Sequence, residues 1–241
     1  MSKEIKNDNF ISIPQTWDNI DMYVIRTCIW NALQACAPKF SGHLLDVGCG
    51  KKPYKNYLLS NQYIFQYTGI DIETAIIYEE AVKPELIWNG ITMPVADNSF
   101  DTVMATEVLE HCSGPHITIN EINRVLKPGG LFFFTVPFLW NLHEVPHDEF
   151  RYTPFALKRI LNECGMEEIE LYAHGGWNTS LAQMIGMWVV AAKRGNKRKR
   201  WAKLLNPLMK QLIRNDPQKM TSEFTDGLMI NGLYGMARKK K

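Results

Sequence analysis

Apolar positions along the chain fall into short blocks that switch between a period of two and a period near 3.6, and this switching predicts alternating strands and helices. Residues 16–37 carry Trp17, Ile20, Tyr23, Val24, Thr27, Ile29, Trp30, Leu33 and Ala37 at helical spacing, up to Pro38. They predict one helix or two short ones. Residues 44–47 are a short apolar run suited to a buried parallel strand. Residues 54–59 suit a crossover helix, 63–72 a second strand, 85–88 a third and 100–106 a fourth. Ile119, Ile122, Val125 and Leu126 set an amphipathic helix over 117–126, stopped by Lys127-Pro128-Gly129-Gly130. Residues 131–136 are a continuous β-rich run and read as a fifth strand. Thr153 as N-cap, Pro154 in the first turn and Gly165 at the end frame a helix through Cys164. Residues 168–173 and 228–238 read as strands six and seven, separated by a long insertion over 175–226. The fold class is therefore α/β, built on a mostly parallel sheet.

The turn after the first strand is the first candidate for chemistry. Gly48 and Gly50 remove two side chains where the chain must turn and where a ligand can lie against bare backbone. A helix opening after such a turn offers free N–H groups and the positive end of its dipole. The dinucleotide fingerprint Gly-x-Gly-x-x-Gly needs a third glycine where Pro53 stands. Asp71 ends the second strand about twenty residues on, the span of one strand–helix–strand unit. A carboxylate held there can accept hydrogen bonds from both hydroxyls of a ribose. Nicotinamide enzymes use the same device, so Asp71 marks a nucleoside rather than one cofactor.

Four motifs stand in order along the chain: Asp46-Val47-Gly48-Cys49-Gly50; Asn89 followed by Asp97-Asn98-Ser99-Phe100-Asp101; Thr106-Glu107-Val108-Leu109-Glu110-His111; and Arg124-Val125-Leu126-Lys127-Pro128-Gly129-Gly130. Together they resemble the class I S-adenosylmethionine-dependent methyltransferases, in particular the type 11-like group. The resemblance covers roughly residues 44–165 and the last strand. It implies a Rossmann-like seven-stranded, mostly parallel sheet with helices on both faces, a helical insertion before the last strand, and that strand inserted antiparallel between five and six. It implies S-adenosyl-L-methionine as cofactor, with Asp46, Gly48, Cys49 and Gly50 against its methionine part and Asp71 and Ile72 at the ribose. Asn89 and Gly90 then lie at the adenine, Asn89 offering a side-chain oxygen where the family usually has an acid. Thr106 and Glu107 lie beside the sulfonium and the acceptor. The chain departs from the family at Lys52, where many members have another glycine.

Length and charge narrow the picture without redirecting it. The 241 residues fit one sizeable domain, divided as an N-terminal helical cap over 1–40 and a methyltransferase domain over 41–241, with a helical, basic insertion at about 176–226. A net charge of +2 says nothing about nucleic acid, but residues 193–214 hold nine Lys or Arg and no acid. Trp201, Leu204, Leu205, Leu208, Met209, Leu212 and Ile213 fit one face of a helix there, with basic residues opposite. A basic amphipathic helix of this kind reads as a peripheral membrane contact or an anion-binding face, against the alternative of a solvated helical lid. No RNA-binding motif accompanies it, so nucleic acid is not an expected partner. The five cysteines include no Cys-x-x-Cys pair, residues 1–9 lack the apolar core of a signal peptide, and no apolar run spans a bilayer. A cytoplasmic location is expected.

Residues 137–154 follow the fifth strand and concentrate ionisable and aromatic groups, which marks a substrate-facing loop. His147, oriented by Asp148, is the expected general base. His143, Arg151 and Tyr152 are expected to face substrate, Arg151 as a clamp for a carboxylate or phosphate. His143 and His147 are four apart, but Pro146 opposes a helix and most methyl transfers need no metal, so none is expected. The run resembles a subgroup carrying His-x-x-Pro-x-Asp-x-x-Arg-Tyr-Thr that accompanies surface-polysaccharide or glycolipid biosynthesis. The expected function is methyl transfer to an oxygen or nitrogen of a small-molecule, sugar or glycolipid acceptor. Its rivals are a nicotinamide-dependent sugar oxidoreductase and a non-catalytic cofactor-binding subunit.

Overall fold

Phe132, Phe133 and Phe134 are all fully buried, and successive side chains of a strand point to opposite faces. Phe132 and Phe134 join one hydrophobic cluster and Phe133 another, so their strand is covered on both faces, as an apolar run without alternation requires. The computed structural model describes residues 8–11, 13–17, 19–73, 83–216 and 221–241.

The strands are β1 (Gly42–Val47), β2 (Ile64–Ile72), β3 (Leu86–Trp88), β4 (Phe100–Thr106), β5 (Leu126–Pro137), β6 (Met166–His174) and β7 (Gly232–Lys239). They form one sheet in the order β3-β2-β1-β4-β5-β7-β6. All neighbours are parallel except β7, which runs antiparallel to both β5 and β6. The expected placement of the last strand is therefore observed. Lys127-Pro128-Gly129-Gly130 does not separate helix from strand, as its turn chemistry had implied. It is absorbed into β5, where the partners of Phe100 and Thr102 are Leu126 and Leu131, so the four residues bulge from the ladder.

The helices are α1 (Asp8–Ile11), α2 (Tyr23–Cys36), α3 (Lys55–Leu59), α4 (Pro115–Val125), α5 (Pro154–Glu163), α6 (Trp177–Ala192) and α7 (Gly195–Asn215). On one face of the sheet, Ile119, Ile122 and Val125 of α4 and Leu157 and Leu161 of α5 meet Leu45, Val103 and Phe134. On the other, Ile25, Ile29 and Leu33 of α2 meet Leu44, Met104 and Phe133. The α2 helix starts later than its periodicity implied, because the Asn19 side chain accepts from the N–H and hydroxyl of Thr16, both at 2.9 Å, and holds Thr16 beside it. The expected Thr153 cap of α5 is present, its hydroxyl accepting from the Ala156 N–H at 3.3 Å.

The insertion before β7 is a helical pair. Ala182 and Val189 of α6 and Ala202 and Met209 of α7 bury a third cluster with Ile20. At Gly186 the helix comes so close to the Ile20 backbone that a Cβ would stand 2.5 Å from its carbonyl oxygen, which fixes α6 beside the segment preceding α2. Only part of the apolar stripe of α7 is used in this way. Trp201, Leu204 and Leu208 remain exposed, with Lys193 over the rings of Trp188 and Trp201. Among the described residues, no helix is long and apolar enough to cross a membrane.

Candidate active site

The β1 strand ends at Val47 in a turn only glycine can make easily. Gly48 and Gly50 have φ of 65° and 50°, in the left-handed region that costs other residues about 1–2 kcal/mol. At Gly48 a Cβ would meet Val108 at 2.5 Å, whereas at Gly50 nothing lies within 4 Å and a Cβ would project into open space. Lys52, standing where many methyltransferases have glycine, adopts φ of 50° all the same. The loop is tied to the end of β2 by Asp71, whose Oδ2 accepts from the Gly50 N–H at 3.0 Å while Oδ1 accepts from the Ile72 N–H at 2.8 Å.

The loop forms one wall of a cavity of about 300 Å³, at the lower end of the range for ligand pockets. Asp46, Gly48, Cys49, Gly50, Thr106 and Glu107 line it, bringing together six of the expected cofactor residues from the ends of β1 and β4. Asp71, Ile72, Asn89 and Gly90 stand outside the lining, at the ends of β2 and β3. Asn89 does not offer the acceptor oxygen expected of it. Its Oδ1 takes the N–H groups of Ile91 and Thr92, both at 2.9 Å, so both lone pairs serve the turn and only the amide N–H groups remain to face a base.

Two acids on the cavity wall are held by hydroxyls. Asp46 is buried, takes the Tyr67 hydroxyl on Oδ2 and leaves Oδ1 without a partner. Burial pushes its carboxyl up to about 7, against the Tyr67 hydrogen bond and with the help of the nearby Asp71 charge. Glu107, at φ of 55°, accepts from the Thr135 hydroxyl at 2.7 Å. Burial raises its carboxyl too, opposed by Thr135 and by the charge of Arg26. Strained backbone and displaced pKa values gather at sites that do chemistry. Met22, just before α2, and Ile25, Arg26 and Ile29 of α2 also line the cavity, so the N-terminal helix contributes to the site as well as to the core. Arg26 escaped the sequence reading; a lone cation on the inward face of an apolar helix was its signal.

At the far end of the cavity stand His111 and His143, their rings edge to face with centroids 4.8 Å apart. The expected dyad is corrected here. Asp148 pairs with His143, not with its neighbour His147: its Oδ2 accepts from the His143 backbone N–H at 3.1 Å and lies 3.2 Å from Nδ1 of the same residue. The His147 ring is exposed, off the cavity, and only its backbone is engaged, its carbonyl lying 2.9 Å from His111 Nδ1. The reason is the anchoring of Asp148 by Arg151, which donates to both carboxylate oxygens at 2.6 and 2.8 Å. That pairing, above all, holds the Asp148 carboxyl well below the usual range, and it turns the carboxylate back toward residue 143. Arg151 is thereby spent on Asp148 and is not a clamp for substrate. Tyr152 is buried, with its hydroxyl donating to the Leu109 carbonyl at 2.8 Å, so it supports the loop after β4 rather than facing substrate. His111, named in the sequence only as the last residue of a motif, belongs to the site because the turn after β4 brings it to the cavity wall.

Residues 45–134 match the family model described as the methyltransferase domain, and the antiparallel β7 sets the sheet apart from the dinucleotide-binding order. This stretch is a class I methyltransferase domain. The domain includes the glycine loop, Asp71, Glu107 and His111; the loop with His143 and the helical pair α6–α7 lie beyond the matched residues. The chain is 29% identical over 110 residues to the malonyl-[acyl-carrier protein] O-methyltransferase of Alcanivorax borkumensis, covering 43% of this chain and 37% of that one. It is 29% identical over 113 residues to the ubiquinone biosynthesis O-methyltransferase of Paracidovorax citrulli, covering 43% and 47%. These matches span less than half of each relative. The fold is similar to that of a SAM-dependent methyltransferase from Thermotoga maritima, described as a possible histamine N-methyltransferase, with a TM-score of 0.57 at 16% identity over 93% of this chain and 98% of that one.

The cavity suits the cofactor of such domains, S-adenosylmethionine. The space a Cβ of Gly50 would fill receives a ligand against the backbone, Asp71 suits ribose hydroxyls, and the unpartnered Oδ1 of Asp46 suits an ammonium donor.

Proposed function

We propose that the chain transfers a methyl group from S-adenosylmethionine to an oxygen of an acceptor bound at the histidine end of the cavity. The observation that carries this reading is that one cavity joins the glycine loop to His111 and His143. When bound, S-adenosylmethionine supplies a sulfonium methyl group open to direct displacement. The glycine loop and Asp71 would fix one end of the donor, and Glu107 would lie beside the cationic centre. Alignment of this kind contributes through effective concentration, with a gain that reaches about 7–11 kcal/mol in well-oriented systems. The acceptor's proton would leave in a corner rich in hydrogen-bond acceptors, where the imidazoles of His111 and His143 line the same cavity as Glu107, and Glu110 lies 3.7 Å from His111. That chemistry favours a hydroxyl, and the names of two relatives, both O-methyltransferases, point the same way.

For the acceptor, we infer a molecule borne on or near a membrane, such as a glycolipid. The support is the helical pair, which leaves Trp177, Leu181 and Met184 exposed on α6 and carries exposed Leu204 and Leu208 on the basic helix α7. Calorimetric titration with S-adenosylhomocysteine and, separately, with NAD tests the cofactor. Saturable binding of the first alone is expected, and binding of NAD alone would refute the reading. Transfer of labelled methyl to lipid or glycan hydroxyls then tests the reaction.

A further inference from the structure

We propose that Glu110, His111 and His143 bind a divalent transition-metal cation of the zinc class at the histidine end of the cavity. The three residues come from two separate segments, the turn after β4 and the loop after β5, and one ligand atom of each lies within 4.8 Å of the other two. Glu110 is fully buried, and neither of its carboxylate oxygens has a hydrogen-bond partner. A buried carboxylate without donors costs several kcal/mol unless something neutralises it.

The two histidines are prepared for the same task. The His147 carbonyl, 2.9 Å from His111 Nδ1, can only accept, so that nitrogen carries the proton and Nε2 presents its lone pair. The Asp148 carboxylate, 3.2 Å from His143 Nδ1, assigns the proton there in the same way. Imidazoles that ligate metals characteristically give their other N–H to a carbonyl or a carboxylate, and here one does each. The result is a corner where three lone-pair donors converge.

Spacing and ligand type point to the kind of cation. Ligand atoms about 2.1 Å from a tetrahedral Zn²⁺ are about 3.4 Å from one another. His111 Nε2 already stands 3.7 Å from Glu110 Oε1. Two imidazoles and one carboxylate are a zinc-type set that leaves a fourth position open. That position would take an oxygen of the acceptor. This use of the cation rests on the methyl-transfer reading, whereas its binding does not.

The test is a titration of the chelator-stripped chain with Zn²⁺ against a chromophoric chelator, and with Co²⁺ followed by visible absorption. One equivalent per chain is expected, with Co²⁺ bands of a four- or five-coordinate site. Glu110→Gln and His143→Ala should each weaken binding by about 100-fold or more. His116→Ala, on the surface of α4 and paired with Glu163, should leave it unchanged. If the Gln variant fails to fold, the His143 variant carries the test, because its ring is only partly buried. Absence of stoichiometric binding, or equal affinity in wild type and both variants, would overturn the proposal. Metal binding by a chain that ignores S-adenosylhomocysteine would uphold the site and refute the methyl-transfer reading instead.

Discussion

Gly50 and Gly195 make a matched pair that separates the cost of a turn from the cost of losing a ligand. Both have left-handed backbone, with φ of 50° and 54°, and at both a Cβ would meet nothing within 4 Å. Replacing either with alanine should therefore cost the same strain, about 1–2 kcal/mol. For a chain of this size that lowers the melting temperature by roughly 2–8 °C. The environments differ completely: Gly50 lines the cavity, whereas Gly195 opens α7 away from it. Gly50→Ala sets a methyl group where a ligand would touch the loop and displaces the N–H that Asp71 holds at 3.0 Å. S-adenosylhomocysteine affinity should fall at least tenfold, about 1.4 kcal/mol, while Gly195→Ala keeps the wild-type value. Calorimetry supplies the affinities and thermal unfolding the stabilities. Equal affinity in Gly50→Ala and wild type would remove the glycine loop from the cofactor site, whatever the melting temperatures.

Other outcomes follow from the same geometry. Asp71→Ala should weaken S-adenosylhomocysteine by an order of magnitude or more, and an unchanged affinity removes Asp71 from the ribose role. Asp46 is raised to about 7 in the folded chain, so folding favours its protonated form; its contribution is complete below about pH 4 and is lost as pH rises through 7. Asp46→Asn should flatten stability over that window and stabilise the chain above pH 7, by at most about 4 kcal/mol; a variant that keeps the wild-type pH dependence in chemical denaturation counts against this. His147→Ala should leave turnover within about twofold, whereas His143→Ala lowers it by about 10²-fold or more, and the reverse ranking would restore the His147–Asp148 pair. The chain should co-sediment with anionic vesicles at low salt and be released toward 1 M salt, where the screening length is about 3 Å. Failure to sediment at low salt would remove the membrane from the proposal.

What was legible in the sequence was what local chemistry decides. The bounds of β4 and the cap of α5 depend on residues adjacent in sequence, and both appear where expected. The glycine loop and Asp71 were legible because one strand–helix–strand unit brings them together. The substrate loop was located correctly, but its internal pairings were not. His143 and His147 both precede Asp148, and the choice between them follows from the two hydrogen bonds that Arg151 gives Asp148, which no spacing rule contains. Tyr152 looked like a site residue until the turn after β4 supplied the carbonyl that buries its hydroxyl. His111 and Arg26 were hidden for the opposite reason, since each sits in a segment whose own pattern speaks only of packing.

The position of β7 also governs how the chain must assemble. It pairs with β5 across a wide gap in sequence, Leu131 opposite Arg238, and among the described residues it is the strand through which β6 joins the sheet. A ribosome-bound chain that has already made β1 to β6 therefore carries a Phe-rich strand with one bare edge, and a β6 with nothing to pair with. Loop closure over that distance is slow, and unpaired apolar edges invite association with other chains. The sheet completes only when β7 slides between two strands that are waiting for it. The interval before that happens is when this protein is most exposed to aggregation and most in need of a chaperone.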